Sequence, residues 1–473
     1  MRSKGKPGAG RPAPISSSRA PRDARGERPA AAEGGGAPRR RRSFSQRNLA
    51  LETDGPLGAM LGEALRVPEA SGYTLTHAFH PYPGRFHPAL PRTLLAAVAT
   101  PGLRVLDPFM GGGTTLVEAL LQGFSAWGND LNPVAVRVAR ERTRPRSASE
   151  ARRLEAEAHR IGSEVEALRR EKQPPRVPHP RQHELARLYA PHLLAELMQW
   201  HRLIEAVPAG PLRETLQAVL SSGVVKFSNL ASDSKAEPGA PPRYGKGAVS
   251  RFLVAKAAEL ARAQAELAQR IPPGTPPAVL YQEDARLLPS LGWGVCDVVL
   301  TSPPYPGTYD YHAQHRLRMD WLGLDDAPLA AGEIGARRPQ GGAETRAGAG
   351  AEAGESWSES LRAVLATLAR VLRPGGSLFL VMGDWITGEH AVDAATMLGR
   401  TAGARDWQLA SRASVQREVH SRTEAHAFAK RGKWEHLLHF TRPGSPVDTP
   451  QTGETPRRER KRPRDGARRI RSR

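Results

Sequence analysis

Two short segments carry residue types that could bind a nucleotide-like ligand and act on an amino group. The first, Asp107–Thr115, follows an apolar run and places Gly111 and Gly113 ahead of a helical pattern. Glycines at such a position let the backbone turn sharply and come close to a ligand. The acid Asp107 suits a cationic ammonium group, whereas a phosphate would favour a basic loop without acids. The segment therefore predicts a site for a positively charged, nucleotide-like cofactor.

Two further acids follow strand-like runs. Asp130 comes after Ser125–Gly128, and Asp284 comes after Ala278–Tyr281. An acid at the tip of the second strand of an open α/β sheet fits a contact to ribose hydroxyls. An acid at the tip of the next strand could accept from an adenine amino group. We therefore assign Asp107, Asp130 and Asp284 to the methionine, ribose and adenine parts of one cofactor, although an acid at a strand end is also a common helix cap.

The second segment, Thr301–Tyr305, directly follows a buried-type apolar run. Its two prolines stiffen the backbone and remove two N–H donors. The Ser302 hydroxyl and the Pro303 carbonyl could therefore accept both hydrogens of an exocyclic amine and draw its nitrogen toward tetrahedral geometry. Tyr305 offers a flat surface for a base that has left its stack. The segment predicts direct group transfer to a base amine, driven by positioning and electrostatics.

Together these segments resemble the cofactor and catalytic motifs of the amino-group DNA methyltransferases, which make N4-methylcytosine or N6-methyladenine. His80–Leu90 and Glu435–Thr441 are similar to two further segments of that family, in the family's order. The resemblance implies a DNA substrate and a restriction–modification setting, and it leaves the target base and any partner nuclease open. It implies binding of S-adenosylmethionine by Asp107, Phe109, Gly111, Gly113, Asp130 and Asp284, with a catalytic loop of Ser302, Pro303, Pro304 and Tyr305.

The surrounding pattern indicates which elements would position these residues. Apolar runs at Leu103–Leu106, Val295–Leu300 and Ser377–Met382 alternate with helical patterns, which is typical of an open α/β sheet. We predict a Rossmann-like, seven-stranded methyltransferase sheet. The predicted divisions are a disordered basic tail (1–47), a cofactor-binding half (48–144), a helical insertion that could recognise the target (145–275), a catalytic half (276–442) and a second disordered basic tail (443–473). The Gly- and Ala-rich stretch Ala327–Ser356 predicts a long mobile loop.

The formal net charge of +21 is concentrated at the two ends of the chain. Residues 1–47 hold 13 basic and 3 acidic side chains, and residues 442–473 hold 11 and 4. Such ends bind phosphate backbones without sequence preference, although a simple arginine bias would give the same composition. With a single cysteine, no apolar run of about 20 residues and no signal-peptide pattern, the sequence predicts a cytoplasmic location.

Three other classes of function fit the sequence less well. A carbon-5 cytosine methyltransferase needs a nucleophilic cysteine, but Cys296 precedes an apolar strand and is predicted to be core. RNA amino methyltransferases share the fold and a similar Pro-Pro-Tyr loop, yet they usually carry an RNA-binding module, for which the first 47 residues are too short and polar. A non-catalytic DNA-binding protein on the same scaffold is disfavoured because both motifs are intact.

Three histidines lie close together in sequence at positions 77, 80 and 87. No cysteine partners and no His-Glu-x-x-His spacing accompany them, so they do not indicate a metal site. We expect hydrogen-bonded surface groups at these positions, and we predict no metal in the mechanism.

Overall fold

The computed structural model describes residues 50–66, 73–171, 182–232, 235–238, 243–336, 349–387, 390–403, 406–419 and 421–443. The strands are β1 (Leu51–Asp54), β2 (Arg104–Asp107), β3 (Ser125–Asn129), β4 (Leu230–Ser232), β5 (Lys235–Pro238), β6 (Val279–Tyr281), β7 (Cys296–Thr301), β8 (Leu372–Gly383), β9 (Trp385–Thr387), β10 (His390–Val392), β11 (Gln408–Arg417) and β12 (Lys433–Thr441). The α-helices are α1 (Gly58–Leu65), α2 (Ala89–Ala97), α3 (Thr114–Leu121), α4 (Pro133–Thr143), α5 (Ala148–Arg170), α6 (Gln182–Leu188), α7 (Pro191–Glu205), α8 (Pro211–Val224), α9 (Ala248–Arg270), α10 (Tyr311–Leu322), α11 (Ala327–Gly332), α12 (Ala349–Val371), α13 (Ala394–Ala402) and α14 (Arg422–Ala427).

Eight strands form one sheet in the order β1-β11-β12-β8-β7-β2-β3-β6. The strands from β8 to β6 pair in parallel, and β12, β11 and β1 extend the sheet through antiparallel pairs. The predicted Rossmann-like α/β class is confirmed. The predicted number of seven strands is wrong by one, because Leu51–Asp54 adds an antiparallel edge strand against β11. This strand escapes a sequence pattern because three of its four residues are exposed.

The chain reverses its direction across the sheet between β2 and β7. After β2 it proceeds outward to β3 and β6, and it then returns to β7 and β8 on the other side. In open α/β sheets, ligands bind in the crevice beyond the carboxyl ends of the strands at such a switch point. Val105, Leu106, Val299 and Leu300 are buried, as expected for central strands covered on both faces. Cys296 is also fully buried, as predicted for a core residue.

Between β3 and β6 the chain is mostly helical. Helices α5, α7, α8 and α9 bury their apolar faces in one cluster, which Trp321 of α10 joins. The cluster includes Leu154, Ile161 and Val165, whose helical spacing is visible in the sequence. The region also contains the short antiparallel pair β4 and β5, which no apolar pattern had indicated.

Two parts of the predicted loop Ala327–Ser356 are helical instead. Helix α11 covers Ala327–Gly332, and α12 begins at Ala349. Alanine has the highest intrinsic helix propensity, so an alanine-rich stretch favours a helix wherever packing supports one. Residues 337–348 lie outside the described residues, as do the predicted tails up to residue 47 and beyond Pro443. Among the described helices, none is both long and apolar enough to span a membrane.

Candidate active site

A cavity lies at the switch point of the sheet, with an empty volume of about 860 Å³ that includes open solvent at its mouth. Seven of the ten predicted site residues line it: Asp107, Phe109, Gly111, Asp130, Asp284, Ser302 and Pro304. The other three, Gly113, Pro303 and Tyr305, are not among its lining residues. The fold therefore brings both predicted segments to one space, although they are far apart in sequence.

Asp107 ends β2 and is held by three donors. Its Oδ2 accepts from Thr115 Oγ1 at 2.7 Å, and its Oδ1 accepts from Thr301 Oγ1 at 2.7 Å and from the Phe109 amide at 3.2 Å. Thr301 ends β7, so this carboxylate joins the two strands that flank the switch point. Burial raises the pKa of Asp107 to about 6, against the lowering effect of the hydroxyl donors.

The glycine-rich loop has the backbone conformation that its residues predict. Gly111 and Gly113 have φ values of +49° and +77°, in the region that favours glycine. A Cβ on Gly111 would lie 2.9 Å from the Tyr82 ring. Gly113 is the N-cap of α3 and packs against Ala139 of α4, so its role is to bring the two helices together.

Asp130 lies directly beyond β3 and orders the loop from the opposite side of the cavity. Its Oδ2 accepts from the Gly111 amide and its Oδ1 from the Asn132 amide, both at 2.9 Å. Burial is the largest influence on this group and raises its pKa to about 7. The carboxylate is thus fixed by backbone donors beside the cavity, and no basic side chain of the described residues pairs with it.

Asp284 lies in a different environment from the other two acids. Its carboxylate forms a two-pronged ion pair with Arg286, with N–O distances of 2.9 and 2.5 Å. Arg286 also donates to the Gly332 carbonyl at 3.3 Å, which links Asp284 to helix α11. This pairing was not predicted from the sequence, and it reduces the net negative charge that Asp284 offers to the cavity.

The segment after β7 places Ser302 and Pro304 at the cavity and buries Pro303. The Pro304 carbonyl accepts from Trp357 Nε1 at 2.9 Å, which anchors the loop to α12. Tyr305 is half-buried and packs beside Gly383, at the end of β8, where a Cβ would lie 3.5 Å from the ring. Burial raises the pKa of the Tyr305 hydroxyl well above its ordinary value, so it is a neutral phenol.

The structure adds lining residues that the sequence did not single out. Tyr82 lies within the segment His80–Leu90 and stacks with Tyr311, the first residue of α10, at a centroid distance of 6.4 Å. Glu333 also lines the cavity, and its carboxylate accepts from the Tyr311 amide at 2.6 Å. Tyr82 could have been found because it lies in a motif-like segment. Glu333 could not, since nothing in the alanine- and glycine-rich sequence around it indicates a site.

The three neighbouring histidines are buried, so the expectation of surface groups is wrong. His77 Nε2 lies 2.9 Å from Glu118, His80 Nε2 lies 3.1 Å from Ser221 Oγ, and His87 Nδ1 accepts from the Ala89 amide. The short helical turn that contains His77 packs against α3, α4 and α9. The His77 hydrogen bond reaches α3 and that of His80 reaches α8, whereas the bond of His87 stays within its own segment.

Elsewhere among the described residues, Asp384, Asp393 and His436 bring three potential metal ligands within 4.8 Å of one another. The Arg431 guanidinium already pairs with both carboxylates, at 2.9 and 2.7 Å. His436 Nδ1 in turn lies 2.8 Å from Ser414 Oγ. The guanidinium therefore compensates part of the charge of the two carboxylates, and the group links the residue that follows β8 to β11 and β12.

Comparison with known proteins identifies one matching family. Residues 58–141 match the model of the N6/N4 methyltransferase family, described as DNA methylase. The chain is 39% identical over 74 residues to the Type II methyltransferase M.MvaI of Kocuria varians, which covers 15% of this chain and 16% of that protein. It is 42% identical over 57 residues to the Type II methyltransferase M.MjaII of Methanocaldococcus jannaschii, covering 12% and 11%. The matches thus span less than a fifth of either relative.

Solved structures show only loose overall similarity. TrmN from Thermus thermophilus aligns over 75% of this chain and 48% of its own, with 14% identity and a TM-score of 0.29. The rRNA methyltransferase aviRa from Streptomyces viridochromogenes aligns over 80% and 94%, with 12% identity and a TM-score of 0.30. The matched segment 58–141 contains the glycine-rich loop and Asp130, and the predicted relationship of this chain to the amino-group DNA methyltransferases is therefore confirmed for that part of the sequence.

Proposed function

We propose that this chain is an S-adenosylmethionine-dependent methyltransferase that acts on an exocyclic amino group of a DNA base, either cytosine N4 or adenine N6. The observation that carries the proposal is the shared cavity, which is lined both by the acids Asp107 and Asp130 and by Ser302 and Pro304. A cofactor and a target base held by these residues would meet in one space. The two Type II methyltransferase relatives favour DNA as the substrate.

The residues around the cavity fit the proposed cofactor. Asp107, Asp130 and Glu333 supply carboxylates for a positively charged group and for ribose hydroxyls, and Asp284 lies nearby in its ion pair. Gly111 has no side chain, and a Cβ there would lie 2.9 Å from the Tyr82 ring. The glycine therefore lets the loop lie close to this cavity-lining ring. Phe109 and Tyr82 add apolar surface for a ring. These features would hold S-adenosylmethionine along the switch point.

The catalytic loop would accept hydrogen bonds from the amino group of the base and orient the base. Ser302 Oγ and the Pro303 carbonyl would accept the two amine hydrogens, which leaves the nitrogen lone pair free to react. Tyr305, a neutral phenol, would support the base by stacking. When bound, S-adenosylmethionine supplies a methyl group whose bond to sulfur breaks as the amine nitrogen forms its new bond, and that nitrogen then releases a proton.

The proposal is tested by incubating the full chain with methyl-labelled S-adenosylmethionine and either DNA or total RNA, followed by nucleoside mass spectrometry. We expect label in N4-methylcytosine or N6-methyladenine from DNA. Ser302→Ala should lower kcat about 100-fold or more, the size expected when one preorganised group at the reacting atoms is lost. Tyr305→Ala should act mainly through weaker binding of the base.

Thr308→Ala is the matched control, because it removes an exposed hydroxyl from the same loop and should leave transfer unchanged. Label found only in RNA would move the enzyme to the RNA amino methyltransferases. Cofactor binding without transfer to either nucleic acid would favour a non-catalytic DNA-binding protein. Equal activity of Ser302→Ala and the wild type would contradict the assigned catalytic loop.

A further inference from the structure

Arg142, near the end of α4, is fully buried although it carries a charge. Its guanidinium donates to backbone carbonyls, and no carboxylate among the described residues forms a hydrogen bond or ion pair with it. Burying a charge costs free energy unless polar groups compensate it. The carbonyls of Gly112 and His80 supply part of that compensation. The contacts of the guanidinium therefore indicate which parts of the structure this buried charge stabilises.

The guanidinium joins two segments that form the cofactor cavity. Its Nη1 donates to the Gly112 carbonyl at 3.0 Å, and its Nη2 donates to the His80 carbonyl at 2.5 Å. Gly112 belongs to the glycine-rich loop, and His80 begins the segment that contributes Tyr82 to the cavity wall. The Arg142 carbonyl itself accepts from Thr76 Oγ1 at 2.7 Å, which fixes the arginine backbone as well.

The contact also determines which way a peptide group of the loop faces. Gly112 lines the cavity, whereas Arg142 is not among the lining residues, so the Gly112 carbonyl is directed away from the cavity. The preceding residue, Gly111, donates its amide to Asp130. Gly111 and Gly113 are both glycines at positive φ, so side chains add no steric resistance to rotation there. The Gly113 amide, in the same peptide group as the Gly112 carbonyl, donates to the Met110 carbonyl at 2.7 Å. Arg142 therefore holds the carbonyl side of a peptide group whose N–H side is held by Met110.

The close approach of Arg142 also explains why residue 112 is a glycine. Its φ is not positive, but a Cβ at this position would lie only 2.3 Å from Arg142 Nη1. A methyl group and the guanidinium cannot both occupy that space. The glycine at position 112 and the arginine at position 142 are thus sterically matched.

We propose that Arg142 is a positioning residue of the cofactor site, which holds the Gly112 carbonyl away from the cavity and ties the glycine-rich loop to the segment at His80. The inference rests on the proposed function, since it concerns binding of S-adenosylmethionine. Loss of the guanidinium leaves this peptide group held only through its Gly113 N–H, which loosens the loop beside the Gly111–Asp130 hydrogen bond. The effect reaches the cofactor through the loop, without direct contact between Arg142 and the cofactor.

The test compares Arg142→Met, Arg142→Lys and Gly112→Ala in the full chain. Calorimetry gives the Kd for S-adenosylmethionine and its demethylated product, and transfer assays give kcat and both KM values. We expect Arg142→Met to raise the cofactor Kd and KM about 10- to 100-fold, the range for loss of a hydrogen bond from a charged donor, with KM for DNA unchanged. Arg142→Lys, which keeps one donor, should fall between, and Gly112→Ala should shift in the same direction as Arg142→Met.

Arg140→Met is the matched control, because Arg140 lies on the same helix and only pairs weakly with Glu214 at 3.9 Å. A purely structural role of Arg142 would lower the melting temperature and the active fraction without raising the cofactor KM of the remaining enzyme, and that result would overturn the inference. If Arg142→Met does not fold, the cofactor Kd of Arg142→Lys and Gly112→Ala decides in the same way. Failure of the wild type to bind the cofactor would instead contradict the proposed function, and the inference with it.

Discussion

At the scale of single residues, burial controls the ionisation of the acids that line the cavity. Asp107 and Asp130 are held by hydroxyl and amide donors, yet desolvation outweighs these donors and raises their pKa values to about 6 and about 7. A cation in the cavity would reverse part of this effect, because it favours the charged carboxylates. The two acids thus couple cofactor binding to pH near neutrality.

The first prediction is that the affinity for S-adenosylmethionine rises between pH 5.5 and pH 7.5, by about tenfold or more. Asp107 must lose a proton over this range before it can pair with the cationic group of the cofactor, and Asp130 before it can accept from both ribose hydroxyls. Calorimetry at half-unit intervals, in buffers of constant ionic strength, measures the dependence. A Kd that does not change across this range would contradict the role of these two acids.

The same pKa values predict how the free protein responds to pH. Because they lie above the ordinary carboxylate value, the folded state binds more protons than the unfolded chain, and stability is lost as the pH rises from about 4 to about 7. Asp130→Asn cannot ionise and should flatten the dependence of the melting temperature on pH. An Asp130→Asn profile as steep as that of the wild type would show that other groups cause it.

At the scale of elements, the site depends on how the helices after β3 are anchored to the sheet. Glu141 of α4 is buried and accepts from Thr215 Oγ1 of α8 at 2.8 Å, while its carbonyl accepts from Gln264 of α9 at 2.7 Å. Arg146 completes the network, 3.4 Å from the Glu141 carboxylate. Helix α4 also carries Arg142, so this network fixes the helix that supports the glycine-rich loop.

We predict that Glu141→Ala destabilises the protein by about 3–5 kcal/mol, because it leaves the buried Arg146 without its charge partner. Glu157→Ala is the control, since it breaks an ion pair with a half-exposed arginine on α5 and should cost less than about 1 kcal/mol. Urea unfolding at neutral pH gives both values. Equal costs for the two variants would mean that the buried network does not hold the helices together.

At the scale of the whole molecule, the excess of basic residues and the residues of the cavity lie in different parts of the sequence. The net charge of +21 lies mainly in residues 1–47 and 442–473, whereas the cavity is built from residues 82 to 334. Contacts to phosphates supply affinity that depends on salt and is nearly independent of sequence. For the proposed DNA substrate, base selection would therefore come from other parts of the chain, and the recognition role of the helical region after β3 stays a prediction.

This separation predicts that replacing Arg39–Arg42 with serine weakens binding to all DNA sequences alike. If each arginine makes one contact to a DNA phosphate, the slope of log K against log salt concentration should become less steep by up to about 0.9 for each residue replaced. Cofactor Kd and kcat at saturating DNA should stay at wild-type values. Titration of fluorescent duplexes at several salt concentrations measures the slope, and an unchanged slope would exclude these arginines from DNA contact.

The α/β class, the central strands and both segments that line the cavity could be predicted from the amino-acid sequence. Buried parallel strands are continuous apolar runs, and the loops Asp107–Thr115 and Thr301–Tyr305 are local in sequence, so their patterns are readable without a structure. The contacts between distant segments became visible only in the folded structure. Packing decides the link from Arg286 to Gly332, the cavity position of Glu333, the burial of His80 and the bridge from Arg142 to Gly112, because a side chain's partner across the fold leaves no periodic trace in the sequence.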